Sequence, residues 1–558
     1  MTRKLDGYGP GRRSGKVAFA VPFIILLSAG AVWGQNANTN PPPATRRDQK
    51  AELTMKITQP FTLAAVGDMI QMQPFSKYID ADIQSLVNLL RGADMTVANN
   101  ENMIVDFDNY TGPIGGNLAT KEVADDWANM GIKMVTKANN HTFDGGEPGL
   151  LENFHQLERV GIVHAGAGRS MPDARRARYY ATPKGLVGFV GIYADGGTGR
   201  GGGNTTYVTA TQLNQLRAIR DSIVARRLEV ENPIEVPPPD EEGTTSVFGV
   251  TFKVGSKPSD DPGGRGGGRG GAMAATNNAL RLTAYNGVTA EQMAQLRTIA
   301  GEGANGGHDG TLSAFGQMFK IMPKPGEFTY DMNAADEKEI LQEIKTGKQS
   351  SDFMIAAIHW HQNRFAFQHY SFDHYPADYE IKFAHEVIDT GADAFVGHGV
   401  HTIKGVEIYH GKPIFYGVSN YVFQSEIMPA MRGGATEEAL GRGGRGPQPE
   451  ASSGILGLGE DNELRWAWLQ KPDNLEALLT TSHYENGQLA EVRIYPVDIG
   501  LTRRPGSQFG IPKRAAPEVA KKILDQVVAY SKPFGTKIVI ENGVAIIRIP
   551  LSERSASH

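Results

Sequence analysis

The chain has 558 residues, of which 40% are hydrophobic, and this length is sufficient to bury a large core. Its formal net charge of -5 gives no general attraction to nucleic acid or anionic lipid, so we expect no nucleic-acid partner. Cysteine is absent, so an exported form must be stable without disulfides and a metal site must use oxygen and nitrogen ligands.

Residues 1–34 have the pattern of a secretory signal peptide. Basic residues up to Lys16 precede the apolar run VAFAVPFIILLSAGAVWG, and small residues stand before Gln35. The alternative is an uncleaved membrane anchor, since a run of about 18 residues is just long enough to span a bilayer. We therefore expect an exported protein of the periplasm or cell envelope, either cleaved or anchored by its N-terminal segment.

Residues 35–56 are polar and rich in proline, which predicts a flexible linker. From Ile57 the chain alternates strand-like and helix-like segments, in the order FTLAAV, IQSLVNLLRG, MTVAN, EVADDWANMG and KMVT. This alternation predicts an α/β fold whose first part covers residues 57–198 and whose second part covers residues 314–427.

The interruption at residues 199–313 is rich in Gly, Asn, Asp and Pro and contains GGRGGGRGG at residues 263–271. Such runs can bind single-stranded nucleic acid, but an acidic exported chain favours a Gly-rich insertion of loops. Within it, VTATQLNQLRAI and VTAEQMAQLRTI predict two similar helices.

A low-complexity loop is predicted at residues 428–470. Residues 471–552 contain two hairpins with Asn-Gly turns and a helix, which we expect to complete the domain.

Five polar clusters stand at the downstream ends of apolar runs. They are AAVGD to Asp68, TVANNE to Glu101, MVTKANNH to His141, MIAAIHWH to His361 and AFVGHGVH to His401. Ligands bind outside the carboxyl ends of strands in open α/β sheets, so these clusters predict one shared polar site. Carboxylate, amide and imidazole groups suit divalent cations. We therefore predict a metal site.

The histidines carry the strongest signal. His359 and His361 alternate on one face of a strand, and His398 and His401 stand in a Gly-rich turn. Imidazole is a common metal ligand, and four histidines in two short motifs are difficult to explain as core filling. The Gly-Asp pair at Asp68 is a weaker signal, because by itself it is typical of an ordinary turn.

The segment ANNHTFDGG is denser in polar groups than a turn requires. His141 is suited to donate a proton to a leaving group, and Asp144 is suited to orient its ring. The structural alternative is a helix N-cap formed by Asn140 or Thr142.

Taken together, the motifs resemble the CapA family of poly-γ-glutamate capsule biosynthesis proteins, a branch of the calcineurin-like metallophosphoesterase superfamily. The resemblance rests on GD, NNE, ANNHTFDGG, HW, GHGVH and a final Ser-Asn-Tyr, and it covers about residues 61–423 apart from the insertion. It implies a four-layer α/β/β/α sandwich that holds one or two divalent ions, of Mn, Fe, Zn or Mg. It places the metal ligands at Asp68, Glu101, Asn140, His359, His398 and His401, and the proton donor at His141.

Four positions depart from the patterns of this family and superfamily. His361 replaces a glycine after HW, Asn100 replaces a hydrophobic residue, and Gly399 replaces a histidine. Ile70 stands where the superfamily has a histidine, two residues after the first aspartate. His361 and Asn100 are therefore additional candidates for the site, and these departures are compatible with a centre of either one or two ions.

The resemblance implies an exported metal-dependent hydrolase of capsule or poly-γ-glutamate metabolism, which uses metal-activated water to attack a phosphoester or a γ-glutamyl amide. The alternative is a non-catalytic envelope protein that binds, exports or anchors an anionic polymer, and Ile70 is compatible with lost catalysis. The arrangement of Asn140, His141 and Asp144 favours the enzyme. Expected partners are an anionic polymer or phosphoester substrate and the envelope or capsule synthesis machinery.

Overall fold

The computed structural model describes residues 52–114, 116–196, 205–230, 240–256, 276–306, 310–362, 364–365, 374–424, 475–500, 508 and 510–554. The predicted signal peptide, residues 35–51 of the linker, the glycine-arginine tract and the loop at residues 428–470 lie outside this range. Within it, the longest helices are too short or too polar to cross a membrane.

Strands and helices alternate in parts of the chain, as the sequence pattern predicts, but several runs of consecutive strands have no helix between them. In chain order the strands are β1 Phe61–Ile70, β2 Met95–Asn100, β3 Met103–Val105, β4 Leu118–Thr120, β5 Met134–Thr136, β6 Val163–Ala165, β7 Ala167–Gly168, β8 Arg178–Thr182, β9 Gly185–Asp195, β10 Thr205–Val208, β11 Thr244–Val247, β12 Val250–Val254, β13 Thr276–Asn277, β14 Ala279–Val288, β15 Asn305–Gly306, β16 Thr311–Ala314, β17 Gln317–Ile321, β18 Phe328–Met332, β19 Phe353–His359, β20 Ala394–His398, β21 Val406–Tyr409, β22 Lys412–Phe415, β23 Asn420–Phe423, β24 Glu476–Glu485, β25 Gln488–Asp498, β26 Lys513–Arg514, β27 Val539–Glu541 and β28 Val544–Arg548. The α-helices are α1 Ala81–Arg91, α2 Glu122–Met130, α3 Gly146–Arg159, α4 Met171–Arg175, α5 Ala210–Val230, α6 Ala290–Ala300, α7 Ala334–Gln349, α8 Asp378–Thr390, α9 Pro517–Ser531 and α10 Leu551–Arg554.

The first sheet has ten strands in the order β27-β28-β25-β24-β1-β2-β5-β6, with β23 also beside β1 and β26 beside β25. Its central strands β1, β2, β5 and β6 are parallel, and the long hairpin β24–β25 joins them antiparallel to β1. The C-terminal part therefore completes this sheet. Parallel strands buried on both faces require continuous apolar runs, as FTLAAV shows.

The second sheet has eleven strands in the order β15-β16-β17-β14-β9-β19-β20-β22-β21, with β18 also beside β14 and β8 beside β9. Strands β9, β19, β20 and β22 are parallel. The register aligns His359 at the end of β19 with His398 at the end of β20, so both side chains arrive at the same edge.

The two sheets pack face to face, and helices cover their outer faces. Leu63 and Val97 of the first sheet share one core with Phe189 and Ile355 of the second. Helices α1 and α2 bury apolar side chains on the outer side of the first sheet, and α7 and α8 do so on the second. Burial of both faces of both sheets produces the predicted four-layer α/β/β/α sandwich, which is confirmed.

The region predicted as an insertion is partly built into the second sheet. Both predicted helices are present as α5 and α6, and α6 begins with a capping box between Thr289 and Gln292. Strand β14, however, pairs with β9 through Ala279 and Tyr193, and β13 pairs with β7. The prediction of an insertion rested on the glycine-rich composition of this segment. Its position in the fold is decided instead by strand pairing between residues far apart in the chain. The predicted domain boundaries stay predictions.

A buried ion pair joins the end of α7 to the beginnings of β19 and β20. The ammonium of Lys348 lies 2.6 Å from Asp393 Oδ2, and the two side chains are 0% and 2% exposed. The same carboxylate accepts a hydrogen bond from the Met354 backbone N–H at 2.8 Å. This contact helps to fix the register between β19 and β20, the two strands that carry His359 and His398.

Replacing Lys348 with Met should lower the free energy of unfolding by about 3–5 kcal/mol, because Asp393 would keep a buried charge without its closest partner. Urea denaturation measures this loss. Lys338→Met, an exposed change on the same helix, should stay within about 0.5 kcal/mol of the parent. Equal losses in both variants would contradict a specific role for the buried pair.

Candidate metal centre

Six ligand-type side chains converge at one end of the sandwich. Ligand atoms of Asp68, His359 and His398 lie within 4.8 Å of one another, and so do those of Glu101, His361 and His401. We call the first set the inner cluster and the second set the outer cluster. They come from β1, from the end of β2 and from the ends of β19 and β20, so strand ends from both sheets contribute, as predicted from the sequence.

The inner cluster is buried completely. Asp68 Oδ1 lies 3.4 Å from His398 Nδ1 and 3.8 Å from His359 Nδ1, and the two ring nitrogens are 3.2 Å apart. Asp68 and His359 are 0% exposed and His398 is 1% exposed. One carboxylate and two imidazoles facing a common point form a donor set that suits a divalent transition metal.

The outer cluster contains a buried acceptor atom that needs a partner. Glu101 Oε1 is buried and has no hydrogen-bond partner among the described residues, and it lies 4.0 Å from His401 Nε2. The Nδ1 of His401 is 2.7 Å from Asn420 Oδ1, which turns the Nε2 of the same ring toward Glu101. Such a hydrogen bond to the far nitrogen is the usual support of a metal-ligating histidine, so the residues fit a cation.

A glycine is required at position 399 because the backbone there passes close to the side chains of Asp68 and His359. Its N–H donates to Asp68 Oδ2 at 3.1 Å, and its φ of +94° is a conformation that side chains rarely adopt. A Cβ at this position would lie 2.9 Å from three atoms of the His359 ring. The glycine therefore allows the turn after β20 to hold the carboxylate without displacing the imidazole.

Burial and neighbouring charges separate the two carboxylates. Burial opposes ionisation of Asp68, but hydrogen bonds with His398 and His401 hold the pKa of Asp68 well below its ordinary value. Burial, followed by the charge of Asp68, raises the pKa of Glu101 well above its ordinary value. The protein part alone thus favours one ionised carboxylate, and an added cation is what would let both ionise together.

Two of the imidazoles favour their neutral, metal-binding form. Burial and then the charge of His361 lower the pKa of His359 well below its ordinary value. The pKa of His361 is also lowered, first by desolvation and then by His401. His361 is nevertheless exposed, so we expect solvent to weaken this second effect. A neutral ring binds a metal without first releasing a proton.

Asn99 connects the two clusters, and the sequence interpretation overlooked it. Its Nδ2 lies 2.8 Å from Asp68 Oδ1, 3.4 Å from Glu101 Oε2 and 3.1 Å from His359 Nδ1. Period-two alternation along β2 was the available signal, because it places Asn99 and Glu101 on one face and the residue between them on the other.

Asn100, the additional candidate, faces away from this network. Its Nδ2 donates to Asn153 Oδ1 on α3 at 3.1 Å, and its backbone oxygen accepts from Asn139 Nδ2 at 2.8 Å. These contacts give Asn100 a supporting role, in which it joins the end of β2 to helix α3.

In the ANNH segment it is the first asparagine that meets the buried network. Asn139 Nδ2 donates to Asn99 Oδ1 at 3.0 Å, and Asn139 Oδ1 accepts from the His141 backbone N–H at 3.0 Å. Asn140 is exposed, and its role as a metal ligand stays a prediction.

His141 and Asp144 form the pair that the sequence suggests. His141 Nδ1 lies 2.7 Å from Asp144 Oδ2, which also accepts the Asn117 backbone N–H at 3.0 Å. Burial would raise the pKa of Asp144, but the charge of His141 and its hydrogen bond lower it. The other ring nitrogen, Nε2, is 3.9 Å from Glu101 Oε1. The pair therefore directs an imidazole nitrogen at the outer cluster.

Gly399→Ala should reduce metal affinity roughly tenfold or more, because the new methyl group must move the His359 ring. Gly535→Ala is a matched control, since its φ is +70° but no atom lies within 4 Å of the added Cβ. Both variants should lose about 1–2 kcal/mol of stability from the left-handed backbone. Calorimetric titration with Zn²⁺ or Mn²⁺ separates the two effects, and equal affinities would contradict the steric argument.

Comparison with known proteins identifies the family. The family model described as "Bacterial capsule synthesis protein PGA_cap" matches residues 62–240 and 263–425, which is more than half of the chain. The chain belongs to this family, and the predicted membership is confirmed. Its motifs therefore belong to a family associated with capsule synthesis.

The relatives differ in how much of the chain they match. "Uncharacterized protein y4sH" of Sinorhizobium fredii is 28% identical over 91% of this chain and 98% of its own length. "PGA biosynthesis protein CapA" of Bacillus subtilis is 33% identical, but over only 16% of this chain and 21% of its own length. A hypothetical protein of Thermus thermophilus of known crystal structure is 12% identical, covers 78% of this chain and 99% of that protein, and has a TM-score of 0.32.

Proposed function

We propose that the protein is an exported, metal-dependent hydrolase that acts on a capsule polymer or a related phosphoester in the cell envelope. The observation that carries this proposal is the placement of His141. A histidine held by a carboxylate at 2.7 Å presents its other nitrogen to a carboxylate–imidazole cluster in the same site. A site that only bound a polymer would need the cluster but not the oriented imidazole.

The donor groups that would hold the ion or ions are Asp68, His359 and His398 of the inner cluster and Glu101 and His401 of the outer cluster. When bound, divalent ions activate water near neutral pH and polarise the phosphoryl or carbonyl group under attack. Carboxylate and imidazole ligands accept Mn, Fe, Zn and Mg, each to some degree.

The chain's own groups supply orientation and proton transfer. Asp144 holds the His141 ring through Nδ1, so Nε2 is the nitrogen available to deliver a proton to the leaving atom. Asn99 restrains Asp68 and Glu101 relative to each other through hydrogen bonds to both carboxylates. Fixed donors of this kind lower the reorganisation needed during a reaction.

Support for the proposed substrate comes from the family rather than from the site. Membership in a capsule synthesis family, and the name of the Bacillus subtilis relative, support a polymer such as poly-γ-glutamate. Hydrolysis of a γ-glutamyl amide and of a phosphoester place similar demands on the site, since each needs an activated water and a protonated leaving group. The capsule synthesis machinery is the proposed partner in the envelope.

His141→Ala should lower turnover about 100- to 10,000-fold while metal content stays unchanged, because the variant loses the proton donor but none of the proposed ligands. The assay compares a generic phosphodiester with poly-γ-glutamate. His385→Ala is the control, since His385 makes a similar contact with a carboxylate, Glu407, at 2.9 Å outside the site. It should retain full turnover.

The same assay tests the competing function. A parent protein that binds metal but turns over neither substrate would support the non-catalytic polymer-binding protein instead. A parent protein that binds no metal would contradict both proposals at once.

Export is a separate part of the proposal, supported by the basic residues and the apolar run before Gln35. Expression of the full chain in a bacterial host should yield a cell-envelope product whose first residue, by N-terminal sequencing, is Gln35. An envelope product that keeps its N-terminus would indicate the anchor, and a product confined to the cytoplasm would contradict export.

A further inference from the structure

We propose that His361 is a metal ligand, and that with Glu101 and His401 it creates a second, solvent-facing metal position distinct from the buried inner cluster. This inference rests on the metal centre of the proposed function, but not on hydrolysis. It assigns a role to His361 and predicts that two ions in the same site differ in how easily they leave.

The backbone holds His361 firmly although its side chain is exposed. Trp360, directly before it, is buried, and its indole N–H donates to the Tyr416 carbonyl at 3.0 Å. The backbone N–H of His361 donates to Gln362 Oε1 at 3.1 Å, and the amide of Gln362 donates to the Ala194 carbonyl at 3.2 Å. Anchored neighbours on both sides fix the point from which the imidazole extends.

The ring of His361 lies among the other donors. Its Nε2 is 2.8 Å from His359 Nε2, and its ring centroid is 5.3 Å from that of His401 at an interplanar angle of 71°. Ligand atoms of Glu101, His361 and His401 already lie within 4.8 Å of one another. Metal–nitrogen distances near 2.0–2.1 Å need only a small contraction of this triangle.

The triangle contains an unpartnered acceptor atom. Glu101 Oε1 is buried and lacks a hydrogen-bond partner among the described residues, although it lies 4.0 Å from the Nε2 atoms of both His359 and His401. A buried carboxylate oxygen without a partner is costly, and a cation in the outer cluster would satisfy it. This need is independent of the inner cluster, whose carboxylate already accepts several hydrogen bonds.

His359 lies between the two positions. Its Nδ1 faces Asp68 and His398, at 3.8 and 3.2 Å, and its Nε2 faces His361. Because one ring nitrogen points to each cluster, the clusters are neighbours on opposite sides of the same imidazole. The inner position thus has its own donors and does not need His361.

Exposure distinguishes the two positions. The inner donors are at most 1% exposed, whereas in the outer cluster His401 is 15% exposed at its side chain and His361 is exposed. An ion in the outer position would keep an open coordination site toward solvent, which is the arrangement of metals that meet a substrate. It should exchange faster than the inner ion and be the one that an anionic substrate contacts.

The test measures metal content rather than turnover. Parent protein, His361→Ala and His361→Gln are loaded with Mn²⁺, dialysed and analysed for metal per chain, and Mn²⁺ titrations give the affinities. We expect two ions in the parent protein, and in both variants one ion with the second bound at least about tenfold more weakly. The magnetic coupling between two Mn²⁺ ions, seen by electron paramagnetic resonance, should disappear in both variants.

His410→Ala is the control, because His410 is an exposed histidine paired with Asp389 at 3.1 Å away from the centre. It should retain both ions. Thermal melting identifies a variant that fails to fold. If the alanine variant fails to fold, the glutamine variant still tests the assignment, because its side chain is closer in size to histidine. Two ions of unchanged affinity in either folded variant, or a single ion in the parent protein, would overturn the assignment of His361.

The outcome separates this inference from hydrolysis. Two ions in the parent and one in the His361 variants, without turnover of any substrate, would preserve the inference and reject the enzyme. If turnover depends on His141 but not on His361, and metal content is equal in all variants, the enzyme is supported and the role of His361 is rejected.

Discussion

The structure depends on a carboxylate that is buried where the two sheets meet. Asp68 is 0% exposed, and although burial opposes ionisation, hydrogen bonds with His398 and His401 hold its pKa well below the ordinary value. A buried charge must be compensated closely. The imidazoles of the inner cluster, the amide of Asn99 and the N–H of Gly399 all point at this one side chain. The rest of the site is arranged around that requirement.

The sandwich satisfies the requirement through strand register. Asp68 comes from the first sheet and the histidines come from the second, so only the face-to-face packing of the sheets brings them together. Lys348 and Asp393 hold the opposite ends of the histidine strands in register. A shift of one residue along either strand would turn the ligands to the wrong face.

The segment predicted as an insertion also supports the site. Strand β13 pairs with β7, and Asn277 Nδ2 donates to the Asn139 carbonyl at 3.1 Å. Asn139 in turn holds the backbone of His141. The region that looks most dispensable by composition therefore contacts the turn that positions the proposed proton donor.

Local patterns in the sequence determined the elements and most of the donor residues. Apolar runs predict the strands. The polar groups that follow them predict a shared site containing Asp68, Glu101, His141, His359 and His398, because ligands bind beyond the carboxyl ends of parallel strands. The α/β class follows from the alternation of strand-like and helix-like segments, whereas the α/β/β/α layering is what the family resemblance implies.

Tertiary structure decided which of two neighbouring side chains enters the site. Asn99 rather than Asn100 meets Asp68, and Asn139 contacts the buried network, because strand alternation and turn geometry orient side chains that are identical in the sequence. The pairing of β14 with β9 and the division into inner and outer clusters depend on contacts between residues far apart in the chain. Local sequence carries little information about such contacts, since their free energy appears only after both partners are packed.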